Sequence, residues 1–75
     1  MAERYVNCKG LQCPGPLVQV AREARGAATG DILVVEATDI GFKKDVAAWA
    51  GKTGNELLTL EEADGVITVR IRVSR

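Results

Sequence analysis

Between Val66 and Val73 the chain alternates strictly: Ile67, Val69, Ile71 and Val73 fall on one side, Thr68, Arg70 and Arg72 on the other. A period of two belongs to an extended strand, and this division gives it one buried and one wet face. Such a strand belongs in a sheet that is covered on a single side. Asp64-Gly65, directly before it, is a hairpin signal. The segment 55–61, with Leu57, Leu58 and Leu60, therefore reads as the strand on which it folds back.

Upstream, residues 32–37 form a nearly continuous apolar run rich in branched side chains, which reads as a buried strand. Residues 5–8 form a shorter strand candidate. Two helical patterns lie between these strands and the hairpin. From Pro14 onward, Leu17, Val20, Ala21 and Ala24 recur at helical spacing, opposed by Gln19, Arg22, Glu23 and Arg25, and the pattern stops near Gly26. Thr38-Asp39 offers caps to a second helix over residues 42–53, with Phe42, Val46, Trp49 and Ala50 inward and Gly54 as its stop. Trp49 is assigned to the core rather than to an interface. The order is β-α-β-α-β-β. Because Arg70 and Arg72 need water on their side, both helices must lie on the other, which predicts an α/β two-layer sandwich.

Composition removes most kinds of chemistry. Seventy-five residues make one small domain, 1–75, and its core must come from Val, Ile, Leu and Ala, because Trp, Tyr and Phe occur once each. Ten basic and ten acidic residues cancel, so bulk charge gives no reason to expect direct nucleic-acid binding. No apolar run approaches the roughly 20 residues of a membrane span. No apolar stretch of the secretory kind follows Met1 to Arg4, so a cytoplasmic setting is expected, where thiols stay reduced. Two cysteines and no histidine are present. A Cys-His pair and a Ser-His-Asp triad are therefore excluded within this chain. Cys8 and Cys13 alone are too few ligands for a zinc site, no phosphate-binding glycine motif occurs, and no cofactor is expected. What remains is thiol chemistry.

Cys13 is the natural candidate. It stands in Gly10-Leu11-Gln12-Cys13-Pro14-Gly15-Pro16, where a strand gives way to a helix. Free cysteines in small proteins are usually inert packing, but this junction lies at the edge of the fold. Proline suits the first helical position, and the residue before a proline is pushed out of the α region. Cys13 thus reads as the N-cap, facing the positive end of the helix dipole, where a thiolate is favoured by roughly 0.3–1 kcal/mol. With Pro14 and Pro16 lacking N–H groups, Gly15 is the expected donor to the sulfur. Lys9 adds a nearby positive charge. The thiol is a competent nucleophile with no general base beside it.

The Cys13-Pro14-Gly15-Pro16 element, followed by Gly30-Asp31, Thr38-Asp39, Asp45-Val46 and Gly54-Asn55-Glu56-Leu57, resembles the TusA/SirA-like sulfur-carrier family over essentially the whole chain. The resemblance implies a mixed four-stranded sheet of order 1-2-4-3, the last strand antiparallel, with two helices on one face. It also implies that Cys13 accepts a persulfide and relays it. The partners implied are a sulfur-donor protein, of cysteine desulfurase or rhodanese type, and a sulfur-acceptor protein. Relatives often have Asp at the position of Asn7, Arg at Lys9 and His at Asn55, and some carry a cysteine at Ala50.

The other candidates each have a plainer reading. Cys8 reads as a small apolar residue ending its strand, with a resolving thiol for Cys13 as the alternative. Lys43 and Lys44 read as a solvated helix face, with docking of an acidic partner as the alternative, to which Lys9 could contribute. Arg70 and Arg72 are the wet face of their strand. Two rival functions follow: a thiol-disulfide switch through Cys8 and Cys13, and a non-catalytic protein-docking module.

Overall fold

The computed structural model describes residues 2–12 and 14–74, and its elements follow in the expected order. They are β1 (Glu3–Cys8), α1 (Gly15–Gly26), β2 (Ile32–Ala37), α2 (Phe42–Thr53), β3 (Glu56–Ala63) and β4 (Val66–Arg72). The sheet order is β1-β2-β4-β3, with β1 parallel to β2, and β4 antiparallel to both β2 and β3. This is the α/β two-layer sandwich of order 1-2-4-3 that the sequence and its resemblance imply.

Alternation places the core. Val6 and Cys8 of β1, Leu33, Val35 and Ala37 of β2, and Ile67, Val69 and Ile71 of β4 face the helices and are buried, as is Val73 just beyond β4. Val20 and Ala24 of α1 and Phe42 and Val46 of α2 close over them. On the opposite face the arginines are paired. Arg70 Nη2 lies 2.8 Å from Glu3 Oε2, and Arg72 is bonded to Glu56. The open face is thus covered by its own charged side chains, as its alternating sequence requires.

Asp64 and Gly65 both take positive φ, 53° and 78°. That is the backbone a two-residue hairpin of type I′ demands, and it is why this dipeptide signals the turn. β3 runs two residues further towards that turn than the leucine pattern suggested, because Glu62 and Ala63 still pair with Ile67 and Val66. A register shift between Leu57 and Thr59 breaks the alternation of β3 and hides its period from sequence.

Trp49 departs from expectation. Of the four residues predicted to face inward on α2, Phe42, Val46 and Ala50 are buried, whereas Trp49 packs against the core only in part. It divides two open hollows between the helices, each of about 320–330 Å³. Tryptophan is large and seldom buried completely, and Trp49 keeps part of its surface exposed.

The topology also decides where loops meet. β1 and β2 are parallel and each is followed by a helix, so the loops after both strands emerge at one edge of the sheet. β4 is antiparallel to β2 and begins beside the end of β2, with Ala37 opposite Ile67, which brings the Asp64-Gly65 turn to that edge as well.

Candidate functional site

Cys13 itself lies outside the described residues, and so does any pairing of Cys8 with Cys13. The frame on either side of it is well defined. β1 ends at Cys8, and its exit is held by three hydrogen bonds. Lys9 N–H donates to Asn7 Oδ1 (3.1 Å), Gly10 N–H to Thr38 Oγ1 (3.0 Å), and Leu11 N–H to Cys8 O (3.2 Å). Gly10 has a φ of 85°, a left-handed turn that a side chain would resist. On the far side, Gly15 N–H donates to Gln12 O at 2.7 Å and Val18 N–H to Pro14 O at 3.0 Å.

This frame corrects the expected helix start by one residue. Pro14, not Cys13, is the N-cap, with φ −92° and ψ 15°, and the helix opens at Gly15 with Pro16 second. The prolines therefore remove one donor inside the first turn rather than two. Gly15 N–H, expected to serve the sulfur, is already committed to Gln12 O. The Gly15 position is nonetheless close-packed: a Cβ there would stand 3.4 Å from Leu11 Cβ.

Cys8 has no exposed surface, and its Sγ–H points to Pro16 O at 3.8 Å. Burial pushes its thiol pKa up, and the charge of Glu23 adds to the effect. A thiol in that setting stays protonated and is a poor nucleophile. The structure places Cys8 in the core, under the opening turn of α1, as the small apolar residue of the first reading.

The three candidate lysines, Lys9, Lys43 and Lys44, differ from one another. Lys9 Nζ lies 3.5 Å from Glu36 Oε1, on the open sheet face, so its charge is turned towards a carboxylate. Tyr5 Oη donates to the same Glu36 oxygen at 2.5 Å. That bond is the largest influence holding the Glu36 carboxyl pKa below its ordinary value, and it raises the Tyr5 phenol. Lys43 Nζ is paired with Glu62 Oε1 at 2.7 Å. Lys44 is exposed and forms no ion pair among the described residues. The basic helix edge is therefore half neutralised from β3, a strand far away in sequence.

Two polar residues take roles that sequence did not assign. Thr38, expected as a cap for α2, makes no such bond. The N-cap of α2 is Gly41, without a side-chain cap, and the Thr38 hydroxyl accepts instead from Gly10 in the loop after β1. Asn55 is buried. Its Nδ2 donates to Thr53 Oγ1 at 2.9 Å, and its Oδ1 accepts Ser74 N–H at 3.2 Å, which ties the end of α2 to the residues after β4. Neither role had a signal in the sequence, because both depend on which segments the fold brings side by side. Among the described residues no cluster of His, Cys, Asp and Glu could hold a metal ion, and no helix is long and apolar enough to cross a membrane.

Residues 4–73 match the family model described as "Sulfurtransferase TusA". A "Putative sulfur carrier protein" of Aquifex aeolicus is 40% identical over 84% of this chain and 32% of its own length. The "Putative sulfur carrier protein YrkF" of Bacillus subtilis is 40% identical over 83% of this chain and 33% of its own. The "Sulfur carrier protein TusA" of Allochromatium vinosum is 35% identical over 96% of this chain and 95% of its own. The chain thus spans about a third of the first two relatives and nearly all of the last.

Proposed function

The chain belongs to the TusA sulfurtransferase family, and on that premise we propose that it is a sulfur carrier whose Cys13 accepts a persulfide sulfur from one protein and passes it to another. The observation that carries this reading is the family match across residues 4–73, a span that contains Cys13. The frame around that residue supports it. The segments on either side of it are hydrogen-bonded, through Lys9, Gly10 and Leu11 before it and Gly15 and Val18 after it.

The chemistry balances without a cofactor. The Cys13 thiolate attacks the outer sulfur of the donor's persulfide. The donor's S–S bond breaks, its electron pair leaves on the donor thiolate, and a new S–S bond forms on Cys13. In the second step the acceptor's nucleophile attacks that same outer sulfur and Cys13 leaves as thiolate. No net oxidation occurs in either step. With no histidine in the chain, and with Lys9 turned to Glu36, proton handling falls to the partners. A carrier needs no more than this, whereas a hydrolase would.

The partners proposed are a sulfur-donor protein of cysteine desulfurase or rhodanese type and a sulfur-acceptor protein, met in the cytoplasm. Of the three candidate lysines, Lys44 is the proposed docking charge, because Lys9 and Lys43 are balanced by Glu36 and Glu62. The burial of Cys8 supports relay in preference to a Cys8–Cys13 switch.

Incubation with a cysteine desulfurase and cysteine, followed by intact mass measurement, tests the reading. One added sulfur, removed by reductant and absent in Cys13→Ser, is the expected result. A Cys13→Ser protein that takes up sulfur as the parent does, or a parent that takes up none from desulfurase, rhodanese or inorganic polysulfide, overturns it.

A further inference from the structure

We propose that Thr38 is a positioning residue for the loop that leads to Cys13: its hydroxyl pins the loop after β1 to the loop after β2. The inference rests on the reading of Cys13 as the sulfur-bearing residue, but its evidence is the hydrogen bonding of residues 9–12. Lys9 N–H and Leu11 N–H both end within the same stretch of chain, on Asn7 Oδ1 and Cys8 O. Gly10 N–H alone among these bonds reaches another element, at Thr38 Oγ1, 3.0 Å away and 28 residues on. The other ties of residues 9–12 to their surroundings are a half-exposed lysine side chain, Lys9 Nζ at 3.5 Å from Glu36, and the bond of Gln12 O to Gly15 N–H at the start of α1. The Gly10–Thr38 bond is what joins the main chain of this loop to the loop after β2.

The register explains why Thr38 has this task. Cys8 is the last residue of β1 to pair with β2, opposite Ala37. Beyond Ala37 the main-chain ladder stops, because Gly10 turns away with its φ of 85°. Thr38 is the first residue after β2, and its side chain continues the tie that the backbone has given up. A threonine also suits the place, since its branched β-carbon restricts χ1 and holds the hydroxyl in one direction. The hydroxyl does not cap α2, whose N-cap is Gly41, and that helix starts without a side-chain cap.

Positioning matters for a carrier because transfer requires an in-line approach of three sulfurs, and small misplacements slow reactions that depend on orientation. Thr38→Val removes the acceptor and keeps the shape. Thr38→Ser restores the acceptor, and Thr38→Ala serves as a second deletion. All three are made in the full chain. Thr38 is exposed, so thermal midpoints should move little.

Two readouts decide the matter. Amide exchange of Gly10 should quicken about fivefold in Thr38→Val and Thr38→Ala, the loss expected for one modest hydrogen bond. The pH profile of Cys13 alkylation by iodoacetamide should change in both variants, because the loop that leads to Cys13 loses its tie to the loop after β2. Thr38→Ser should recover both. An unchanged alkylation profile in Thr38→Val overturns the proposal, as does a Thr38→Ser protein that behaves like Thr38→Val. A merely structural hydroxyl would move the exchange rate alone. Failure of wild-type protein to accept sulfur, with the Thr38→Val profile still shifted, would count against the carrier reading and leave the positioning role in place.

Discussion

Cys8→Ser distinguishes a core sulfur from a reactive one by the size of a stability change. Cys8 is fully buried between β1 and the first turn of α1, with its Sγ 3.8 Å from Pro16 O. Sulfur accepts that distance as a weak contact. An oxygen sits on a shorter bond and cannot close the gap to hydrogen-bonding length, so the serine hydroxyl would be buried without a good partner. Such a group costs about 1–3 kcal/mol in proteins. Taking about 2 kcal/mol, and about 4–8 °C per kcal/mol for a domain of this size, the thermal midpoint should fall by roughly 8–16 °C. Cys8→Ala avoids the buried hydroxyl but leaves a small cavity, so it should lie between, about 1 kcal/mol below the parent. Circular dichroism melts and urea titrations at a common pH give both values. Sulfur loading of Cys13, read by intact mass at a temperature where each variant is folded, should be unchanged. A Cys8→Ser protein that melts within about 2 °C of the parent would show that the core argument is wrong. Folded Cys8→Ser that no longer accepts sulfur, or no longer closes a disulfide that the parent forms, would return Cys8 to the reactive site.

Three further expectations follow from the same geometry. The Tyr5 hydrogen bond holds the Glu36 carboxyl below its ordinary pKa, so its contribution is present above the unfolded value and is lost as pH falls through the folded one; Tyr5→Phe should raise the Glu36 titration midpoint seen by NMR, and an unmoved midpoint would refute the assignment. Asn55→Ala should destabilise by about 1–3 kcal/mol in urea unfolding, because Ser74 N–H and Thr53 Oγ1 lose their partner in a buried place; a loss below about 0.5 kcal/mol would mean that water replaces it. Lys44→Glu should slow sulfur transfer from a protein donor more than Lys43→Glu does, since Lys43 is already paired with Glu62. Lys43→Glu should cost no more than about 1 kcal/mol in stability, the range of exposed pairs, and equal effects on transfer would argue against docking through Lys44.

Local signals made much of the fold legible. The alternation of Ile67, Val69, Ile71 and Val73 set β4, and the apolar run over residues 32–37 coincides with β2. The helix over 42–53 and the Asp64-Gly65 turn appear where their residues predict them. β1 was a weak signal because an edge strand covered on one side shows only Val6 and Cys8 to the core. The end of β3 was misjudged because the irregularity near Leu58 breaks its period. The start of α1 was placed one residue early, since two prolines near a helix terminus permit more than one assignment of the first turn.

For the site, the sequence by itself singled out Cys13 and the proline turn beside it, because proline acts on its own and its neighbour's backbone angles and needs no distant partner. It also excluded histidine-dependent chemistry outright. The tertiary structure decided what each surrounding side chain touches. Cys8 went to the core, Lys9 to Glu36, Lys43 to Glu62, and Thr38 to Gly10. Each of those pairings depends on which strands lie side by side, and a sheet of order β1-β2-β4-β3 joins segments that are far apart in the chain. Periodicity reports which face of an element is buried. It carries no information about which residue stands opposite.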